Sequence, residues 1–123
     1  MKASELRIGN LVGRKEKMTT FPVEFETIQC TLEDIYNIQK GSVNYEYAAV
    51  IISEERLLKF GYTKALESDS FGGYLSPEMP NGNKIRIKNN CWNSQHLEVK
   101  IEFVHSLQNL YFALTGEELK IIP

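Results

Sequence analysis

Two hydrophobic periods run through this chain. Over 21–30, 84–88 and 97–103, apolar residues recur at every second place; from 104 to 115 they recur at every third or fourth. At the start, Leu6, Ile8, Leu11 and Val12 flank Gly9-Asn10, a turn signal that leads into a strand from Asn10 to Arg14. The polar stretch Lys15 to Thr20 reads as a loop. From Phe21 to Cys30, Val23, Phe25 and Thr27 alternate with Glu24, Glu26 and Ile28, and this β-branched and aromatic content predicts a second strand. The two strands would pair antiparallel across the loop.

Thr31-Leu32-Glu33-Asp34 carries a variant of the capping box, with Thr31 at the cap and Asp34 three places on. Leu32, Ile35, Tyr36 and Ile38 then share helical spacing, and Gly41 can stop the turn. The expectation is a helix from Leu32 to Lys40; a strand competes, because Ile35, Tyr36 and Ile38 are β-formers. The apolar run Ala48 to Ile52 predicts a buried strand. Ser53 is a favoured N-cap, and Glu54 and Glu55 place negative charge at the positive end of the next helix. Ile52 and Leu57 suit a hydrophobic staple, while Gly61 and Tyr62 occupy the last two places of a Schellman motif. A two-turn helix from Glu54 to Phe60 follows. It is too short to stand without tertiary packing.

The middle of the chain predicts a β-meander. Phe71 to Ser76 is a strand bent at Gly72-Gly73, and Asn81-Gly82 is a turn dipeptide after Pro77 and Pro80. Lys84 to Lys88 puts Ile85 and Ile87 on one face and Lys84, Arg86 and Lys88 on the other. Asn89 to His96 reads as a polar loop holding Cys91 and Trp92. Leu97 to Phe103 alternates again, with Leu97, Val99, Ile101 and Phe103 inward and Glu98, Lys100 and Glu102 outward. A last helix spans Val104 to Thr115, with Gly116 as its stop and Leu119 to Ile122 as a short edge strand. With Leu107 at zero and about 100° per residue, Phe103, Val104, Leu110, Tyr111 and Leu114 fall within about 60° of it. That arc is the expected core face.

These elements define an α+β chain. An N-terminal strand pair resembling the opening of a small SH3-like barrel precedes short helices, an antiparallel β-meander and a C-terminal helix packed on the sheet. The 123 residues suit a single domain over 1–123. Fourteen Lys and Arg against sixteen Asp and Glu leave a net charge of −2, far from the basic balance of a dedicated duplex binder. The opening Met1-Lys2-Ala3-Ser4-Glu5-Leu6-Arg7 places charges where a signal peptide needs an apolar run, and no apolar stretch approaches a membrane span of about 18 residues. A cytoplasmic protein without membrane contact is expected. In that reducing setting Cys30 and Cys91 read as small, half-buried hydrophobes, bridgeable only if folding brings their Cα atoms within about 7 Å.

Chemistry-bearing residues are sparse. Cys30, Cys91, His96 and His105 are the soft ligands, and their spacing lacks the doubled close pairs of a structural zinc site. Two histidines without a recognisable motif predict no catalytic residues, no metal and no cofactor. Gly9 to Lys15 is too short for a phosphate loop and has no Ser or Thr after the lysine. Lys84, Arg86 and Lys88 line one strand face with Trp92 close behind, the layout of a single-strand nucleic-acid binder. This is the second reading, weighed against a solvated face neutralised by Glu98 and Glu102. The first reading rests on the last helix. There Phe112 sits at about 140°, off the apolar arc, beside His105, Gln108 and Asn109. An aromatic among neutral polar residues must be covered by this chain or by a partner. The expected contact surface is therefore His105, Gln108, Asn109 and Phe112, for another protein or a second copy.

Three blocks also carry a resemblance. Glu5-Leu6-Arg7-Ile8-Gly9-Asn10-Leu11-Val12, Ser53-Glu54-Glu55-Arg56-Leu57-Leu58-Lys59-Phe60-Gly61-Tyr62, and the stretch from Val104 to Leu119 (VHSLQNLYFALTGEEL) cover about a third of the chain. They resemble a group of short uncharacterised proteins of gut-type bacteria and their phages or prophages. The chain departs from that group's second block, which runs Pro-Ile-Pro-Leu-Thr-Glu-Glu where Ala49-Val50-Ile51-Ile52-Ser53-Glu54-Glu55 stands here. The resemblance implies a phage or mobile-element setting and no activity. Together these readings predict a non-catalytic protein-interaction module.

Overall fold

Local chemistry places the two short α-helices. A computed structural model of the chain describes residues 1–17, 23–68, 72–77, 79, 84–94 and 97–119. Helix α1 spans Leu32–Lys40; Thr31 Oγ1 accepts the Asp34 N–H while Asp34 accepts the Thr31 N–H, closing the capping box. Helix α2 spans Glu54–Lys59, and Ser53 Oγ accepts the Arg56 N–H at 3.3 Å. It ends in a Schellman motif. The Tyr62 N–H reaches Leu57 O and the Gly61 N–H reaches Leu58 O, with Gly61 at φ 84°. Leu57 and Tyr62, the apolar pair of that motif, are both buried. Helix α3 spans Val104–Thr115 and Gly116 follows at φ 74°. All three helices match their expected spans to within one residue.

The chain divides into two compact units, Met1–Ile51 with Phe103–Asn109, and Ile52–Glu102 with Leu110–Pro123. The first holds a three-stranded antiparallel sheet in the order β2-β1-β3, with β1 at Leu11–Glu16, β2 at Glu26–Gln29 and β3 at Tyr45–Ala49. The β1–β2 pair is the expected one. Lys15 and Glu16, expected in the loop, extend β1 instead, and Val23 to Phe25, expected in the second strand, precede β2; Met18 to Pro22 lie outside the described residues. One sheet face carries Val12, Ile28 and Tyr47, and packs with Leu6, Cys30, Ile35 and Ile38 into the unit's core. On the other face Gly13 sits under Phe25: a Cβ there would lie 3.2 Å from the Phe25 Cβ.

Strand β3 begins three residues before the expected Ala48. Alternating Tyr45-Glu46-Tyr47 forms the strand, because both tyrosines face α1's side of the sheet. The apolar run beyond it does not continue the strand. Ile51 is exposed and forms an isolated bridge with Phe103.

The second unit holds the meander, order β4-β5-β6-β7-β8 and antiparallel throughout. Its strands are β4 at Thr63–Lys64, β5 at Tyr74–Leu75, β6 at Arg86–Lys88, β7 at Cys91–Ser94 and β8 at Leu97–Lys100. The Gly72-Gly73 bend stands as expected. Gly73, at φ 81°, lets β5 approach so closely that a Cβ would come within 2.6 Å of Ile87 O. The expected polar loop from Asn89 is instead a tight hairpin. Asn89 and Asn90 adopt φ 52° and 59°, and Lys88 pairs with Cys91 directly across the turn. Asparagine tolerates the left-handed region, so a type I′ turn forms without glycine. On β8, Val99 is exposed rather than inward, whereas Ile101 is buried as expected. The Asn81-Gly82 turn, Phe71, His96 and all of the expected Leu119–Ile122 strand beyond Leu119 lie outside the described residues.

Candidate interaction site

Antiparallel ladders alternate between residues that point their N–H and C=O at the neighbour and residues that point them away. The Lys17 N–H donates to Asn44 O at 2.9 Å, which sets the phase between β1 and β3. With Gly13 opposite Ala48 and Lys15 opposite Glu46, those two β3 residues exchange bonds with β1. Tyr45, Tyr47 and Ala49 therefore aim their main-chain groups outward. Ser42 Oγ already accepts the Tyr45 N–H at 3.1 Å. Tyr47 and Ala49 keep theirs open along the sheet's edge, since β3 pairs only with β1 among the described residues.

A cleft of about 330 Å³ follows this edge. All five β3 residues line it, together with Asn37 and Ile38 at the end of α1, Gly41 and Ser42 in the turn, and Lys17 and Met1. The volume is at the low end of the range that holds small ligands, roughly 300–1,000 Å³. Ala48 and Ala49 are small apolar residues of its lining, and Lys17, Asn37, Ser42, Glu46 and the two tyrosines are the polar ones.

A buried ionic cluster stiffens one wall. Asp34 is 3% exposed. It accepts from Arg14 at 3.1 Å and from the Tyr47 hydroxyl at 2.8 Å, and Asn37 Nδ2 donates to that hydroxyl at 3.3 Å. Burial pushes the Asp34 carboxyl up, but hydrogen bonds from the Thr31 main chain, Tyr47, the Thr31 hydroxyl and Arg14 outweigh it and hold the group below its ordinary value. The Arg14 guanidinium also lies 4.5 Å over the Tyr45 ring. Both β3 tyrosines are thus clamped from the α1 side.

The opposite edge of the same sheet is differently furnished. Strand β2 is bordered by exposed Glu24 and Glu26, charges that discourage strand pairing. Val23 and Phe25 are exposed there too, though the Phe25 ring is covered in part by Lys15 Nζ, 4.6 Å from its centre.

Most of the contact surface expected on α3 is spent inside the first unit. His105 and Gln108 are buried. Gln108 Oε1 accepts the Leu11 N–H at 2.8 Å, the donor just beyond the last β1–β3 pair. Asn109 Oδ1 accepts from Arg7 at 2.8 Å and from Asn10 at 3.0 Å, while its Nδ2 donates to Glu5 O at 2.7 Å. Only Phe112, in the second unit, is exposed. The buried arc of α3 (Val104, His105, Leu107, Gln108, Tyr111) is turned by about 70° from the expected one, which leaves Leu114 exposed. Hydrogen-bond demand at Asn10 and Leu11 draws the polar side inward.

His105 has a further peculiarity. Its ring stacks on Phe103 with centroids 5.6 Å apart, and Nε2 lies 3.4 Å from a Glu5 carboxylate oxygen. That approach is too poorly aligned for a hydrogen bond, so neither ring nitrogen has one. Burial pushes His105 below its ordinary value despite the pull of Glu5.

The alternative nucleic-acid residues fall on two faces. Register places Trp92 opposite Ile87, and Ile87 opposite Tyr74, in one row. Lys88 stands opposite Cys91, and Arg86 opposite Leu75, on the other face. Lys84, Arg86 and Lys88 do point away from buried Ile85 and Ile87 as expected, but Trp92 does not share their face. A stacking platform needs aromatic and cation together.

Cys30 and Cys91 are free thiols, and burial raises both. Among the described residues no group of three metal-ligating side chains converges, and no helix is long and apolar enough to cross a membrane. Comparison with protein-family models, curated proteins and solved structures finds no match. The site-lining residues Lys17, Asn37, Tyr47 and Ala49 escaped the sequence reading. The alternating Tyr45-Glu46-Tyr47 was the available signal for the strand, but nothing local marks it as an edge.

Proposed function

We propose that the chain is a non-catalytic protein-interaction module that takes an extended segment of a partner protein onto the outer edge of β3. One observation carries this reading: among the described residues, Tyr47 and Ala49 present main-chain donors and acceptors without strand partners into a cleft that runs the length of the strand. Strand addition draws its affinity from such groups and its selectivity from flanking pockets. The small side chains of Ala48 and Ala49 leave room for a neighbouring backbone, at the usual separation of about 4.8 Å. The clamped Tyr47 keeps the edge in shape before a partner arrives, which lowers the ordering cost of binding.

A displayed peptide library selected against the purified protein tests the proposal. Selected peptides, titrated into the isotope-labelled chain, are expected to shift the amides of Tyr45 to Ala49. Ala49→Pro removes an outward N–H that the β1 ladder does not use, a position where an edge strand tolerates proline. Its folded spectrum with binding lost supports the reading. Peptide shifts centred elsewhere, or binding untouched by the proline, overturn it.

A further inference from the structure

The charges around the β3 cleft are unequal. Lys15 Nζ, opposite Glu46 in the ladder, lies 3.5 Å from its carboxylate, so that acid is compensated. Lys17, at the Ser42 end, has its Nζ on the Ser42 carbonyl, and no ion pair to it is formed among the described residues. Among the described residues, the cleft thus ends in a cation that meets a carbonyl rather than a carboxylate.

That end is also where the ladder runs out. With the Tyr45 N–H taken by Ser42 Oγ, the last fully open residue toward Lys17 is Tyr47. A segment lying antiparallel to β3 has its C-terminal direction toward Tyr45 and Lys17. Every strand pair of this sheet is antiparallel, so an added strand continues the existing pattern.

We infer that the segment bound by β3 runs antiparallel to it and carries an acidic side chain just past its last paired residue, where it meets Lys17. This rests on the strand-addition reading above and adds the direction and charge of the partner. Its main-chain groups pair with Tyr47 and Ala49. Its side chains alternate between solvent and the wall formed by Asn37 and Ile38. The acid then takes the position that would extend one step further, displacing or sharing the Ser42 carbonyl as the partner of Lys17.

The test uses three designed peptides, each an acetylated, amidated Thr-Val-Thr-Val strand followed by Glu-Glu, Gln-Gln or Lys-Lys, titrated into wild type, Lys17→Arg and Lys17→Glu. Amide shifts at Tyr47 and Ala49 report docking separately from charge. The expected result is binding of the Glu peptide three- to tenfold tighter than the Gln peptide, with the gap narrowing at high salt. Lys17→Arg keeps that order and Lys17→Glu reverses it in favour of the Lys peptide. Equal affinities for all three peptides, with the Tyr47 and Ala49 shifts intact, overturn the inference and leave strand addition standing. No shift at those amides with any peptide overturns both. A spin label at the Glu end that broadens Ala49 rather than Lys17 shows the opposite direction and overturns the inference. A concentration-dependent dimer abolished by Ala49→Pro overturns it too, since the occupant is then a second copy.

Discussion

Gln108 and Leu11, ninety-seven positions apart, meet through one hydrogen bond: the Gln108 side-chain oxygen accepts the Leu11 main-chain N–H at 2.8 Å. The bond continues the β1–β3 ladder by other means. Beyond Val12 opposite Ala49, β3 has no further rung to offer, and an amide side chain from α3 takes the next donor.

Removing that acceptor leaves a buried N–H without a partner. Gln108→Leu is expected to cost about 1–3 kcal/mol of stability. Chemical denaturation measures it, and a loss below about 0.5 kcal/mol would show that water replaces the amide.

Asp34 joins a helix cap, an ion pair and a tyrosine hydroxyl in one carboxylate. Asp34→Ala therefore strips acceptors from Thr31, Arg14 and Tyr47 together. Losing a partner from a fully buried pair costs roughly 3–5 kcal/mol. Arg14 retains 30% side-chain exposure and can be rehydrated, so about 2–3 kcal/mol is expected here. Asp34→Asn keeps the cap and should cost less. Equal losses for the two variants would remove the cap from the account.

Stability should depend on pH in two windows. Burial lowers His105 below its ordinary 6.5, so the folded chain holds the ring neutral where an unfolded histidine begins to protonate. The unfolded state then binds more protons, and stability is full above about pH 6.5 and falls as pH drops through it. Asp34, held below its ordinary value, adds a second loss below about pH 4. Denaturation profiles of wild type and His105→Phe check this. The variant should flatten only the upper window, and an unchanged slope between about pH 7 and 5 would place that window on another group.

Two glycines with similar dihedral angles should respond differently. Gly73 has φ 81° and an Ile87 oxygen 2.6 Å from where a Cβ would stand; Gly9 has φ 95° and nothing within 4 Å. Gly9→Ala meets only backbone strain, about 1–2 kcal/mol. Gly73→Ala adds a collision with a main-chain atom and should cost clearly more, with the hairpin amides of β5 and β6 shifted in the spectrum. Equal thermal shifts for the pair would mean that β5 moves away freely.

The parts legible in the sequence are those whose causes are local. Thr31 and Asp34, Ser53, and Gly61 with Tyr62 satisfy their own helix ends, and the helices lie where those residues put them. The alternation of Ile85 and Ile87 with Lys84, Arg86 and Lys88 likewise survives intact. The misreadings have non-local causes. The polar side of α3 has the local pattern of a surface, yet Asn10 and Leu11 pull Gln108 and Asn109 inward from the far end of the chain. Strand β3 was displaced because an apolar run outweighed Tyr47, whose place depends on Asp34 across the sheet. The cleft was invisible for the same reason, since an edge exists only once the neighbours of a strand are known.

The make-up of the first unit has a consequence for synthesis. Val104, Leu107 and Gln108 are buried parts of a unit that otherwise ends at Ile51. During translation the N-terminal sheet emerges long before these residues do. Its final closure waits for an intervening stretch of fifty-one residues, Ile52–Glu102, to leave the ribosome. Late, long-range closure of this kind slows folding and prolongs exposure of unpaired strand edges. The outward main-chain groups of Tyr47 and Ala49 are thus exposed to whatever extended chains the nascent protein meets, well before α3 secures the strands beside them.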